Sequence, residues 1–320
     1  MTCCTFAASR NHGCYAVLEV NTYKGTFDDL SPVIQSYQHK KNLLKSRNYS
    51  IICTDIDGTL LGKNRELSEK TMLEINRVKA HVPVILVSSR MPKAMRHLQV
   101  RLGIEHYPII AYNGGLVLLY SENEQEPELF LSVTIPFEIP RVIYNQTKNT
   151  SIHISLYLHD DWYVQKMDEW AAREINNTKV HPIVTGFESL LDSWESDVQG
   201  PHKIMCMGPE EEIHELEMFL LRTCSEQLNI YRSKPTYLEL SSKLVSKAVA
   251  IKQLVADKMG YPLEQVIAFG DNYNDIEMLE AVGLGIAVSN GNDSLKSIAD
   301  EVTLSNLEDG VATSIHKYFL

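Results

Sequence analysis

Apolar runs of a few residues recur along the chain, and several stop abruptly at a polar cluster. The first covers residues 50–54. Ile51, Ile52 and Cys53 follow one another, the pattern of a strand buried on both faces, and the run ends at Asp55, Asp57 and Gly58. Residues 69–79 carry Met72, Ile75 and Val78 at helical spacing behind Ser68, a residue suited to cap a helix. Residues 82–87 read as a second strand, ending at Ser88, Ser89 and Arg90. Residues 92–102 read as a helix with proline in its first turn, and 109–112 as a third strand ending at Asn113, Gly114 and Gly115. Strand, helix, strand, helix, strand predicts right-handed crossovers and a parallel sheet.

The pattern changes between residues 116 and 232. Apolar runs there are shorter and alternate with polar residues, which predicts strands at 116–120, 130–135, 152–158, 162–165 and 203–207. Helical patterns fall at 138–147 and 210–227, and Trp162 and Tyr163 after His159, Asp160 and Asp161 read as a hairpin. Hairpin-joined strands with helices on one face predict an α+β module inserted into an α/β domain. The earlier pattern resumes with a helix over 247–259 and a strand over 266–269, which stops at Gly270, Asp271, Asn272, Tyr273, Asn274 and Asp275. A helix over 276–281, a strand over 284–288 and helices over 293–299 and 310–319 complete it.

The expected fold is therefore α/β: a Rossmann-like parallel-sheet core of residues 48–115 and 233–320, an inserted α+β module of residues 116–232, and an N-terminal extension of residues 1–47. Within the extension a strand over 14–20 and a helix over 30–44 are expected, partly disordered and without a catalytic role. It lacks the basic start and continuous apolar core of a signal peptide.

Composition narrows the function classes. At 320 residues, 44% hydrophobic and 22% charged, the chain has material for a large core and two domains. A formal net charge of -11 argues against a nucleic-acid surface, and no run reaches the ~18 apolar residues of a spanning helix. The six cysteines show no C-x-x-C spacing and read as reduced thiols. The expectation is a cytoplasmic protein, a monomer or weak homo-oligomer, with neither a nucleic-acid nor a membrane partner.

Four strands thus deliver polar clusters to their carboxyl ends: Asp55 with Asp57, Ser88, Asn113, and Asp271 with Asn274 and Asp275. In a parallel sheet these ends lie along one edge, so residues far apart in sequence share a site. Carboxylates without His or Cys suit Mg²⁺, which joins a few protein oxygens to water and a phosphate, and Lys247 adds a point charge. Taken singly, Lys247 is a solvated helix lysine, Ser88 a turn residue and Asp271 or Asp275 a helix cap. Taken together and in order, they read as phosphate chemistry.

That order resembles the haloacid dehalogenase-like hydrolase superfamily, and within it the Cof-type phosphatases. D-I-D-G-T-L at 55–60 is similar to the first family motif, and Ser88 with Arg90 to the second. Lys247 in L-V-S-K-A-V-A-I is similar to the third, and G-D-N-Y-N-D at 270–275 to the fourth. Asn113-Gly114-Gly115 and the closing A-D-E-V-T-L-S-N-L-E-D-G-V fit the same branch, and the resemblance runs from about residue 48 to the C-terminus.

The resemblance implies a Mg²⁺-dependent phosphatase of small phosphorylated metabolites, sugar phosphates foremost. Asp55 would be the nucleophile that forms an aspartyl-phosphate, and Asp57 the acid and base. Asp55, the Asp57 carbonyl and Asp271 would hold the metal. Ser88, Asn113, Lys247 and Asn274 would bind phosphoryl oxygens, with Asp275 and Arg90 in support. The inserted module would be a C2-type cap, on which His159, Asp160, Asp161, Trp162, Lys203 and Arg232 are available polar or aromatic residues. Ser89, Tyr273 and the run Ser289-Asn290-Gly291 depart from the family pattern without removing a reacting group, and Tyr273 bears on substrate size. Two other readings stay open: a sugar phosphomutase, and a non-enzymatic phospho-acceptor or sugar-phosphate sensor.

Overall fold

The computed structural model describes residues 48–121, 126–197 and 199–319, so the strand and helix expected in the N-terminal extension lie outside the described residues. Among the described residues the strands form two sheets. The core begins as the hydrophobic pattern predicts. β1 (Ile51–Thr54), α1 (Glu69–Val78), β2 (Val84–Val87), α2 (Lys93–Leu102) and β3 (Ile109–Ala111) alternate, and the three strands lie side by side in parallel. Ser68 caps α1, its side chain accepting the Thr71 N–H.

The first departure follows β3. Tyr112, Asn113 and Gly114 have φ of +52°, +57° and +100°, so the backbone reverses at once. β4 (Leu116–Leu119) then runs antiparallel beside β3, and β5 (Glu128–Ser132) antiparallel beside β4. Both strands extend the core sheet. The boundary expected at residue 116 is corrected to about residue 133, because an Asn-Gly turn makes a hairpin rather than a crossover.

The inserted part contains α3 (Glu138–Thr147), β6 (His153–Leu158), β7 (Asp161–Val164), α4 (Glu169–Thr178), β8 (Ile183–Val184) and α5 (Phe187–Ser196). It continues with β9 (Lys203–Met207), α6 (Glu210–Thr223), β10 (Leu228–Lys234) and β11 (Tyr237–Ser242). Its strands are ordered β10-β11-β9-β6-β7-β8, antiparallel except for the β7–β8 pair. The return to the core expected at residue 233 is therefore corrected to residue 243. β10 pairs with β11, and β11 with β9, a partnership that local alternation does not reveal.

Period-two alternation gives this sheet two unlike faces. Ile154, Leu156, Ile204, Cys206, Leu238 and Leu240 form one core with Ile143 of α3, Leu191 of α5 and Leu216 of α6. The residues between them, on the other face, are largely polar. α7 (Lys247–Ile251) then continues in wider turns over Lys252–Lys258. β12 (Val266–Gly270), α8 (Ile276–Ala281), β13 (Leu284–Val288), α9 (Asp293–Ile298), β14 (Glu301–Thr303) and α10 (Gly310–Tyr318) complete the core.

The core sheet runs β14-β13-β12-β1-β2-β3-β4-β5, parallel from β14 to β3. One face buries Ile51, Cys53, Ile85 and Val266 against Ile251, Leu254 and Met278. β12, β1, β2 and β3 are immediate neighbours, so the four polar strand ends stand in a row. Cys53, Cys206 and Cys224 are buried free thiols. Among the described residues no helix is long and apolar enough to cross a membrane.

Candidate active site

Asp55 is the first residue beyond β1, and its N–H donates to the Phe269 carbonyl of β12 at 3.0 Å. The sheet itself thus fixes where this side chain leaves the backbone. Lys247, at the start of α7, is buried, and its Nζ donates to Asp55 Oδ1 at 2.7 Å and to Asp275 Oδ1 at 2.6 Å. An ammonium sealed from water persists only when paired. Burial by itself would lower the Lys247 ammonium, but Asp275 and Asp55 outweigh it and hold it above its ordinary range. Asp275 Oδ2 accepts the N–H groups of Asp271 and Asn272, both at 3.0 Å. Asp275 therefore anchors the loop after β12 and Lys247 together.

Asp271 accepts the Thr59 hydroxyl at 2.9 Å, and carboxylate oxygens of Asp55, Asp271 and Asp275 lie within 4.8 Å of one another. Burial, then the Asp275 charge, pushes the Asp271 carboxyl up to about 6. Burial also raises Asp55, and the nearby Asp275 and Asp271 charges add to it against the opposing pull of Lys247. Three carboxylates facing one ammonium leave excess negative charge in a poorly solvated place. An all-oxygen donor set of this kind fits a hard divalent cation such as Mg²⁺. Asp275 already accepts three hydrogen bonds, so Asp55 and Asp271 are the freer donors.

Gly58 has φ of +87°, and a Cβ there would stand 2.4 Å from Asp271 Oδ2. Gly58→Ala is accordingly expected to displace Asp271 and to weaken divalent-cation binding at these carboxylates by roughly 10- to 100-fold. Calorimetric titration of wild type and variant with Mg²⁺ checks this.

Asp57 points elsewhere. Arg90 grips it with Nε on Oδ2 at 2.6 Å and Nη2 on Oδ1 at 2.8 Å, and Arg65 adds Nη2 on Oδ1 at 2.7 Å. Burial by itself would raise the Asp57 carboxyl, but Arg90 and Arg65 outweigh it and hold it below its ordinary range. Ser88 is buried, and its carbonyl accepts the Asn113 N–H at 2.8 Å. Asn113 Oδ1 in turn accepts from Asn274 Nδ2 at 3.0 Å, joining the third and fourth strand ends.

All the expected site residues except Asp275 and Arg90 line a single cleft of about 440 Å³. Asp275 is sealed behind Lys247, and Arg90 lines an adjoining cavity of about 240 Å³. The polar face of the second sheet forms the opposite wall of the cleft, and exposed Tyr273 lines it too. Of the residues of the inserted part singled out from the sequence, Lys203 lines this cleft. Asp160 instead accepts the Lys93 N–H at the start of α2, Trp162 is buried against Tyr157, and Arg232 turns to Glu217.

A family model of haloacid dehalogenase-like hydrolases matches residues 52–315. The chain belongs to this family. A provisionally named phosphatase of Haemophilus influenzae is 32% identical to this hydrolase over 276 residues, spanning 85% of this chain and 98% of that one. The 5-amino-6-(5-phospho-D-ribitylamino)uracil phosphatase YitU of Bacillus subtilis is 29% identical, spanning 84% of this chain and 97% of its own. Among solved structures, TM0651 of Thermotoga maritima superposes with a TM-score of 0.75 at 29% identity, covering 84% of this chain and 97% of that one.

The sequence reading of this hydrolase missed four participants. Thr59 sits inside the first motif but does not betray that it reaches Asp271. Arg65 meets Asp57 only because Asn64 and Arg65 both take φ of +58°, a local conformation that no nearby pattern signals. Asn290 Nδ2 donates to the Gly58 carbonyl at 2.8 Å, pinning the turn between Asp57 and Thr59. Glu239 enters through β11, a strand the hydrophobic pattern did not delimit.

Proposed function

We propose that this hydrolase is a Mg²⁺-dependent phosphatase of small phosphorylated metabolites, sugar phosphates foremost, working through an aspartyl-phosphate on Asp55. The observation that carries the reading is the buried set Asp55, Lys247 and Asp275 with Asp271 beside it, opening on one cleft. Asp55, Asp271 and the Asp57 carbonyl would hold Mg²⁺, which when bound supplies positive charge against the repulsion between carboxylate and phosphoryl oxygens.

Lys247 donates to one oxygen of Asp55 and leaves the other to attack phosphorus. Lys247, the Ser88 hydroxyl and the Asn113 and Asn274 amides offer donors to the phosphoryl oxygens. Asp57 would protonate the leaving oxygen and then take a proton from the hydrolytic water. Because Arg90 and Arg65 now occupy both its oxygens, it does so after giving up at least one of these contacts. The inserted segment from about residue 133 to Ser242 would be the cap, its polar face positioning the leaving group and excluding water. YitU, named for a substrate phosphorylated on a ribityl chain, supports a polyol ester.

The test is phosphate release across sugar phosphates, nucleotides and cofactor phosphates, where sugar phosphates are expected to lead. Chelation should abolish release and Mg²⁺ restore it. Ca²⁺ should restore little, because its larger and looser shell aligns nucleophile and phosphate poorly. Full activity after thorough chelation, or isomerised sugar phosphate without free phosphate, would overturn the reading.

A further inference from the structure

On β9, β10 and β11, Ile204, Cys206, Leu228, Ile230, Leu238 and Leu240 pack toward the helices, and the residues between them, Met205 and Met207 included, form the second face. Asn229, Tyr231, Ser233, Ser241, Lys203 and Glu239 on that second face all line the cleft that holds Asp55. The first four are neutral hydrogen-bonding groups. The two charged members form a pair, Lys203 Nζ donating to Glu239 Oε2 at 2.6 Å with side chains 14% and 23% exposed. Strand register makes them diagonal neighbours on one face, Glu239 opposite Met205 and Lys203 opposite Ser241, a spacing that two long side chains bridge.

The position of the pair is specific. Lys203 Nζ lies 3.5 Å from the Ser89 carbonyl, one residue beyond Ser88 on the phosphate-facing edge. Together with Asp57, both residues line the main cleft and the adjoining cavity. The charges cancel, so the wall as a whole attracts neither an anionic nor a cationic leaving group. The spare ammonium protons and carboxylate lone pairs remain strong donors and acceptors for hydroxyls, in fixed positions.

Building on the phosphatase reading, we propose that the Lys203–Glu239 pair selects the leaving group. It hydrogen-bonds hydroxyls close to the ester of a neutral polyol, and so favours such esters over those whose leaving group lacks hydroxyls. The preference comes from contacts that the polyol gains, since a leaving group without hydroxyls leaves the pair intact.

The experiment compares wild type, Glu239→Gln and Lys203→Met on a hexose phosphate, a pentitol phosphate and p-nitrophenyl phosphate, with thermal midpoints alongside. Glu239→Gln and Lys203→Met are expected to lower kcat/KM for the two polyol esters roughly ten- to hundredfold. Hydrolysis of p-nitrophenyl phosphate, whose leaving group has no hydroxyl to read, should change by less than about threefold. Equal losses on all three esters would make the pair a structural staple and overturn the proposal, as would unchanged kcat/KM on the polyol esters. Binding of the hexose and pentitol phosphates to Asp55→Asn, with and without Glu239→Gln, provides a readout independent of turnover. Wild type that releases no phosphate from any ester would defeat the phosphatase reading alone. The pair would then stand if Glu239→Gln weakens binding roughly tenfold or more, and fall if it does not.

Discussion

Replacing Asp55 by Asn is expected to cut turnover by roughly 10⁵-fold or more, the scale on which removing a covalent nucleophile acts. The amide keeps the volume of the carboxylate, and its carbonyl oxygen can still accept from Lys247, so the fold should stay intact. On the proposed mechanism, what disappears is the anionic oxygen that would attack phosphorus, together with one of the two freer candidate metal donors. Phosphate release, with thermal midpoints as the control on folding, checks the prediction. Intact-mass measurement on quenched wild-type enzyme adds a direct view, since a phosphoryl group should appear on the chain during turnover. Near-normal release from a well-folded Asp55→Asn would sink the covalent mechanism.

Lys247→Met should be the most destabilising change at the site. The wild-type ammonium is buried and bonded to Asp55 and Asp275, with Asp271 close by. Methionine fills similar space but leaves these carboxylates facing one another without a counter-charge. Removing one partner from a buried ion pair costs about 3–5 kcal/mol, because the charge left behind has lost both water and partner. Activity should fall as well, since on the proposed mechanism a hydrogen-bond donor to the phosphoryl oxygens is gone. Added Mg²⁺ should raise the thermal midpoint of the variant more than that of wild type, the cation standing in for the lost ammonium. Chemical denaturation with and without Mg²⁺ measures both effects. A loss below about 1 kcal/mol would show that the lysine is no more than a surface-like ion pair.

These two residues also mark how much of the site was legible in the chain. Asp55 stands at the end of a continuous apolar run, and a parallel strand buried on both faces has no other place for an acid than its end. The same argument reached Ser88, Asn113 and Asp271, because each follows an apolar run. Lys247 was legible only through the family motif. By local pattern it is a helix lysine like any other, and its burial follows from where α7 docks on the sheet. Arg90 was placed in support of the site, and the fold gives it a definite partner in Asp57.

The limits of the inserted segment were read about 17 residues early at its start and about 10 early at its end, both for one reason. Whether a short strand joins one sheet or another depends on its hydrogen-bonding neighbour, which the strand's own hydrophobic pattern does not name. Tyr112, Asn113 and Gly114 turn β4 back onto β3, and β11 finds β9 across α6 and β10. Hydrophobic periodicity is a property of the chain itself: it determined that this protein has a parallel core, where its strands end, and which acids stand there. Tertiary structure decided which ends become neighbours, that Lys247 is sealed between Asp55 and Asp275, that Arg65 reaches Asp57, and that Lys203 and Glu239 look down on them. Burial and charge pairing depend on what surrounds a side chain in space, and only the packed fold sets that.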